Sequence, residues 1–118
     1  MTSQIAIVED EPLILEVVQL FLENQGYAVH CFSSADLARS TIQGNQIDLL
    51  ICDVRLGQEN GIHFTKTCEQ AGFTGAVLII SGFIPNSHDF AAHWHFLRKP
   101  FSRQALLNEV EVLVQSKS

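Results

Sequence analysis

Leu49-Leu50-Ile51-Cys52-Asp53 is a short, uninterrupted apolar run that ends in a carboxylate. The run is too short for a buried helix and is typical of a strand that is covered on both faces. A carboxylate at the carboxyl end of a buried parallel strand lies where open α/β sheets bind their ligands. We therefore expect the function to depend on Asp53, whereas Asp48, before the run, is more simply a solvated strand start.

Strands and helices are predicted to alternate along the whole chain. Apolar runs predict further strands at residues 4–8, 27–32, 76–81 and 95–98. The first helix is predicted to begin at Pro12 and to bury a stripe of six apolar residues, which are Leu13, Ile14, Val17, Val18, Phe21 and Leu22. Other helices are expected after Ser33 or Ser34, near Ile62, and after Ser102. This alternation predicts a parallel sheet with right-handed crossovers and helices on both faces.

Composition indicates one compact globular domain over residues 1–118. Apolar residues make up 47% of the chain and charged residues 17%. No stretch has the roughly 20 apolar residues of a membrane span, and the N-terminus does not resemble a signal peptide. Three cysteines without C-x-x-C spacing indicate reduced thiols in a cytoplasmic protein. A net charge of −6 with only seven scattered basic residues argues against direct nucleic-acid binding.

Polar groups follow several predicted strands and are expected to converge at one edge of the sheet. They are Glu9 and Asp10, Asp53, Ser81 and Lys99. Carboxylates that are brought together repel one another unless a cation is present, and an all-oxygen site suits Mg²⁺. A cation, an ammonium group, a hydroxyl and a further carboxylate together form a site for an incoming phosphoryl group.

Four motifs in this order resemble the signature of response-regulator receiver domains. They are Val8-Glu9-Asp10-Glu11-Pro12, Asp53-Val54-Arg55-Leu56 with Gly61, Ser81-Gly82, and Lys99-Pro100-Phe101. The resemblance spans almost the whole chain. It implies a flavodoxin-like, doubly wound sheet of five parallel strands in the order 2-1-3-4-5. It also implies a phosphoacceptor that is served by a histidine kinase or a histidine phosphotransfer protein, rather than a conventional enzyme.

The resemblance also implies a role for each site residue. Asp53 matches the phosphorylated aspartate. Magnesium, for which Mn²⁺ can substitute, would be held by Glu9, Asp10, Asp53 and the backbone carbonyl of Arg55. The switch and phosphoryl-binding positions are matched by Ser81, Lys99 and Phe96, and the Lys99–Pro100 peptide is expected to be cis. The sequence does not identify the output partner or output domain. A homodimer of this chain is a further alternative.

The chain departs from the family pattern at two places, and the resemblance also implies a role in hydrolysis for two further residues. Gly57 stands where a proline is usual, which predicts a looser loop. The interval from Ser81 to Phe96 is about one helical turn short, so the fourth helix is expected to be short or irregular. Arg55 and Phe83 flank the approach of water to the acceptor, and neither orients a water for attack, which predicts slow loss of the phosphoryl group.

Several alternatives remain open at this stage. His88, His93 and His95 could bind zinc, although no cysteine is near them. Glu11 is expected to interact with the positive end of the first helix rather than with a metal. Four apolar residues either cover the core beneath a shortened helix or form a docking patch: Phe83, Ile84, Phe90 and Trp94. The rival functions are a degenerate receiver that acts as a docking or dimerisation module, and a Mg²⁺-dependent phosphohydrolase with an aspartate nucleophile.

Overall fold

A central sheet of five parallel strands organises the structure, a computed structural model that describes residues 2–44, 46–83 and 88–115. In chain order the strands are β1 (Gln4–Val8), β2 (Ala28–Phe32), β3 (Leu49–Asp53), β4 (Ala76–Ser81) and β5 (His95–Arg98). Their order across the sheet is β2-β1-β3-β4-β5, and every neighbouring pair is parallel. The predicted flavodoxin-like sheet is confirmed, except that β2 begins one residue later than expected.

Four helices cover the two faces of this sheet, as predicted. They are α1 (Pro12–Glu23), α2 (Ala35–Gly44), α3 (Gly61–Gln70) and α4 (Arg103–Gln115). Alternate residues of each strand point to opposite faces, so Leu50 and Cys52 pack with α2 and α3, whereas Leu49 and Ile51 pack with α1 and α4. The hydroxyls of Ser34 and Ser102 accept hydrogen bonds from the first turns of α2 and α4, as expected of caps.

The buried stripe of α1 is narrower than the sequence predicts. Val18 and Leu22 are fully buried, but Leu13 is 77% exposed and Val17 is 44% exposed. The prediction of burial was therefore wrong for these two residues, because the sheet and α4 cover only one side of a wide apolar surface on the helix.

The connection between β4 and β5 is irregular. Its described residues, 82–83 and 88–94, form bends and turns and no helix, which agrees with the predicted loss of a regular fourth helix. Trp94 is buried, and Phe90 packs edge-on against it with ring centroids 5.6 Å apart. These two residues therefore cover the core, whereas Phe83 is exposed and Ile84 lies outside the described residues.

A small hairpin follows β3 and replaces the loose loop that was expected at Gly57. Arg55–Leu56 pairs in antiparallel fashion with Glu59–Asn60. Gly57 adopts a φ of +63° at the tip, a conformation that favours glycine. The Asn60 side chain then caps α3 by accepting hydrogen bonds from the N–H groups of residues 62 and 63. The prediction of looseness was therefore wrong, because backbone pairing and a cap fix both ends of this segment.

In the described part of the chain, no helix combines the length and the apolar character that crossing a membrane requires.

Candidate functional site

Three carboxylates meet at the carboxyl ends of β1 and β3. Glu9 and Asp10 follow β1, and Asp53 is the last residue of β3. One carboxylate oxygen from each residue lies within 4.8 Å of those of the other two. The pairing of β1 with β3 causes this convergence, because Val8 lies beside Cys52 in the parallel register. The predicted acidic cluster is therefore assembled by the fold, and Glu11 is not one of its members.

Lys99 supplies the positive charge of this cluster. Its Nζ donates hydrogen bonds to Asp53 Oδ2 at 2.9 Å and to Glu9 Oε1 at 3.2 Å. Its backbone N–H donates to the carbonyl of Ser81 at 2.8 Å, which fixes the residue at the end of β4, and the Lys99–Pro100 peptide is cis. Burial lowers the pKa of Lys99, but the two carboxylates outweigh that effect and hold this pKa above its ordinary value. Lys99 is therefore an ammonium group at neutral pH.

Glu9 is the most perturbed acid of the site. Its side chain is fully buried, and this burial raises its pKa from 4.5 to about 7, with the charge of Asp53 adding to the rise and Lys99 opposing it. Oε2 lies 3.0 Å from the Lys99 Nζ but receives no hydrogen bond from the described residues, since the ammonium donates to Oε1. A buried acceptor oxygen without a donor is costly unless another group binds it.

A divalent cation fits this donor set. The three carboxylates offer hard oxygen ligands at one point, and Glu9 Oε2, although near the Lys99 ammonium, receives no hydrogen bond from the described residues. Their excess negative charge over the one ammonium would be neutralised by such an ion. The predicted metal ligation by the Arg55 carbonyl stays a prediction; the Arg55 N–H donates to Asp53 Oδ1 at 3.4 Å, which places that residue beside the cluster.

The start of α3 is packed against the backbone of Asp53. A Cβ atom on Gly61 would lie 1.8 Å from the Asp53 carbonyl oxygen, so only glycine fits there. The Gly61 N–H also donates to the Val54 carbonyl at 2.7 Å. These contacts hold Gly61, the residue after the hairpin, close to Asp53 and fix the path of the chain around it.

Ser81, Arg55 and Phe83 are joined by contacts at the carboxyl ends of β3 and β4. The hydroxyl of Ser81 is buried at the end of β4 and accepts a hydrogen bond from the Phe83 N–H at 3.0 Å. The Arg55 guanidinium carbon lies 4.3 Å from the centroid of the Phe83 ring, which is a cation–π contact. The structure thus joins the two residues that the sequence predicted to shield the acceptor.

Phe96 lies away from the acidic cluster, on β5. It is partly buried against the core and packs edge-on against Phe90, with ring centroids 6.2 Å apart. Trp94 donates its indole N–H to Glu69 Oε1 of α3 at 3.1 Å. The switch position predicted for Phe96 is therefore part of an aromatic cluster (Phe90, Trp94 and Phe96) that is tied to α3.

The histidines do not form a zinc site. His93 pairs with Glu69 of α3 at 2.7 Å, whereas His95 pairs with Glu109 of α4 at 3.0 Å. Because α3 and α4 cover opposite faces of the sheet, the two imidazoles point away from each other. Within residues 2–44, 46–83 and 88–115, the metal-binding group of three or more candidate ligands is the acidic cluster, and it includes no histidine.

Some residues around the site were missed by sequence reasoning. Asp10 Oδ2 accepts a hydrogen bond from the Gly57 N–H at 2.9 Å. Arg39 of α2 donates to both carboxylate oxygens of Glu59 in the hairpin, each at 3.3 Å. The glycine at position 57, where a proline is usual, was the only feature of the sequence that pointed to the contact with Asp10. The partners of Asp10 and Arg39 depend on the three-dimensional path of the chain.

Comparisons with known proteins agree with the fold. The family model of the response regulator receiver domain matches residues 5–111. The chain is 32% identical over 79 residues to the TorCAD operon transcriptional regulatory protein TorR of Escherichia coli K12, and the match covers 67% of this chain and 34% of that protein. It is 28% identical to the transcriptional regulatory protein BasR of the same organism, over 95% of this chain and 52% of BasR. The chain thus spans between about a third and about half of the length of these relatives.

Solved structures show the same architecture. The receiver domain of the hybrid histidine kinase CckA superimposes with a TM-score of 0.83 at 29% identity, over 96% of this chain and all of that one. A CheY-like receiver domain protein of Methanospirillum hungatei gives a TM-score of 0.89 at 19% identity, over 99% of this chain and 97% of that one. With its strand order, its acidic cluster and a family match over most of its length, the chain belongs to the response regulator receiver domain family.

Proposed function

We propose that the chain is a phosphoacceptor of a two-component system and that Asp53 takes a phosphoryl group from a histidine kinase or a histidine phosphotransfer protein. The observation that carries this proposal is the setting of Asp53. Its carboxylate is buried, it is 2.9 Å from the Lys99 ammonium, and it adjoins two further carboxylates that can hold a cation. A degenerate receiver would lack one of these groups, so their presence favours phosphoacceptance over a pure docking role.

The proposed transfer forms a bond between an Asp53 oxygen and phosphorus. The bond from phosphorus to the donor's imidazole nitrogen breaks, and its electron pair stays on that nitrogen. Lys99 binds the Asp53 carboxylate, which supports a role for its ammonium in binding the incoming phosphoryl oxygens, and the buried Ser81 hydroxyl is proposed as a second group that binds them. Magnesium, or Mn²⁺ in its place, would supply charge neutralisation when held by Glu9, Asp10, Asp53 and the Arg55 carbonyl.

The test is incubation with acetyl phosphate and Mg²⁺, followed by intact mass spectrometry. We expect the wild type to gain one phosphoryl group and Asp53→Asn to gain none. Asp48→Asn is the matched control, because Asp48 lies at the opposite end of the same strand and binds the Gln4 N–H instead. Phosphate gain by Asp53→Asn would refute the assignment of the acceptor. Rapid turnover of many phosphate esters would favour the phosphohydrolase, and an unchanged wild-type mass would favour the docking module.

We further propose that phosphorylation changes a protein-interaction surface next to β5. The Ser81 hydroxyl is the group that would turn toward the phosphoryl oxygens, and this would break its contact with the Phe83 N–H. Phe96 has no phenolic hydroxyl and already packs against the core, so we expect it to stay inward in both states. The change would then pass from Phe83 to Trp94 and through Glu69 to α3, and a second copy of the chain is one candidate partner.

The Arg55–Phe83 contact supports a proposal about how long the signal lasts. Hydrolysis needs a water in line with the bond between phosphorus and Asp53, and we propose that the stacked guanidinium and ring, which are in contact with each other, shield that approach. We expect Arg55→Asn with Phe83→Glu to speed loss of the phosphoryl group by one to two orders of magnitude, a barrier change of about 1.4–2.8 kcal/mol. Arg55→Lys with Phe83→Tyr keeps a cation and a ring and is the matched control. A double variant that decays no faster than the wild type would contradict the proposal.

We propose that the output of the signal is not a direct contact between this chain and nucleic acid. A net charge of −6 disfavours contact with nucleic acid, although the named relatives are transcriptional regulators. An output partner or a further domain would therefore carry any such contact. Because a histidine kinase obtains its phosphoryl group from ATP within the cell, the proposed location is the cytoplasm.

A further inference from the structure

We infer that the hairpin of residues 55–60 is a positioning element for Asp10, which it holds through the backbone N–H of Gly57. The inference deepens the proposed function, since it concerns the carboxylate that would bind the metal. The contact itself is a hydrogen bond of 2.9 Å from the Gly57 nitrogen to Asp10 Oδ2.

Asp10 gains from this contact an interaction that the lysine of the site does not supply. The Lys99 Nζ binds Glu9 and Asp53, and among the described residues it forms no ion pair with Asp10. Asp10 nevertheless has an oxygen within 4.8 Å of the oxygens of both other carboxylates, which repel it. A backbone N–H that donates to the free carboxylate offsets part of this repulsion and leaves Oδ1 available to a metal.

The backbone at Gly57 explains why this donor depends on the residue type. Its φ of +63° is accessible to glycine and, with less ease, to asparagine. Among the described residues, no atom lies within 4 Å of a Cβ built at this position, so the restriction comes from the backbone angle and not from lack of space. A proline here would remove the N–H donor and could not adopt this φ.

Arg39 holds the hairpin from the other side. It donates to both Glu59 oxygens at 3.3 Å, and its guanidinium carbon lies 5.4 Å from the centroid of the buried Phe64 ring. Glu59 is paired with Leu56, which is itself buried in the core. Contacts therefore run without a break from α2 through the hairpin to Asp10, and Arg39 is a positioning residue that touches neither the metal ligands nor the acceptor.

The first test uses the metal-free protein and an amide NMR spectrum. Asp10→Ala removes the acceptor, and we expect the Gly57 amide proton to move upfield by several tenths of a ppm. The amide of Gly72, which donates to the Glu69 carbonyl and also has a positive φ, is the control and should not move. An unmoved Gly57 amide would overturn the inference, whatever the protein does with metal or phosphate.

The second test measures the dissociation constant of Mn²⁺ by electron paramagnetic resonance. We expect Gly57→Pro to weaken binding at least tenfold and Gly57→Asn, which keeps the donor, to stay within about threefold of the wild type. Arg39→Gln should weaken binding by a factor of about two to five, as expected of an exposed pair, and Glu59→Gln, which leaves the Arg39–Asp36 pair in place, should have a similar effect.

The outcomes separate this inference from the proposed function. A wild type that binds no Mn²⁺ would overturn the proposed metal site. If the wild type, Gly57→Pro and Arg39→Gln all bind Mn²⁺ with the same affinity, the proposed metal site is retained and the positioning role is overturned. If Gly57→Pro does not fold, the Arg39 and Glu59 variants decide the question, because their pair lies on the surface.

Discussion

The buried acid Glu9 makes the stability of the metal-free protein depend on pH in a direction that is unusual for a carboxylate. Its pKa is raised from 4.5 to about 7 in the folded protein, chiefly by burial. Between these two pH values the folded state binds more protons than the unfolded state. By linkage, the free energy of unfolding therefore falls as pH rises through this window. The stabilisation is fully present below about pH 4.5 and is lost above about pH 7.

The magnitude follows from the size of the shift. A change from 4.5 to about 7 corresponds to about 3 kcal/mol at 1.36 kcal/mol for each pH unit. Glu9→Gln keeps the shape of the protonated side chain and cannot ionise. We therefore expect this variant to be up to about 3 kcal/mol more stable than the wild type at pH 8 and nearly equal to it at pH 4.5.

The assay is urea unfolding at several pH values with a chelator present, so that no metal neutralises the site. Glu11→Gln is the matched control, because it removes the same charge from an exposed residue that lies outside the acidic cluster. Its stability should run parallel to that of the wild type. If the Glu9→Gln and wild-type curves also run parallel from pH 4.5 to 8, Glu9 does not carry the raised pKa and the reasoning fails.

Three further predictions concern other contacts of the fold. Gly61→Ala should lower the free energy of unfolding by about 1–3 kcal/mol and slow phosphoryl incorporation, because its Cβ would overlap the Asp53 carbonyl. Gly44→Ala, which has open space at its Cβ among the described residues, should leave the free energy of unfolding unchanged. Equal unfolding curves for the two variants would contradict this prediction. Glu69→Ala should destabilise the protein by about 1–3 kcal/mol and shift the fluorescence of Trp94, since it leaves a buried indole N–H without an acceptor; an unchanged emission spectrum would speak against this role. Lys99→Met should lower the free energy of unfolding at pH 8 by about 3 kcal/mol or more in metal-free buffer, because it removes the ammonium from two buried carboxylates; urea unfolding that matches the wild type would disprove the pairing.

The strands and the acidic cluster could be predicted from the sequence because their signals are local. A buried parallel strand needs only a short apolar run, and β1, β3 and β4 each have one. A polar residue placed directly after such a run is carried to the functional edge of the sheet by the strand itself. For this reason Glu9, Asp53 and Lys99 were found without knowledge of the packing.

The contacts that escaped prediction join residues through side chains or single backbone groups. Nothing in the local sequence of Arg39 indicates that it pairs with Glu59, and the Gly57 contact with Asp10 depends on a turn that only the hairpin creates. The exposure of Leu13 has a related cause: a helical repeat identifies an apolar surface, but the neighbouring elements determine how much of it is covered.

The position of Lys99 has a consequence for the order in which the protein folds. It lies 90 residues after Glu9 in the chain, and it reaches the cluster only when the edge strand β5 has paired with β4. Before that step, pairing of β1 with β3 already gathers the carboxylates, without their ammonium partner. Docking of the last strand is therefore favoured by charge attraction as well as by apolar burial, and high salt should weaken that final step more than the earlier pairing.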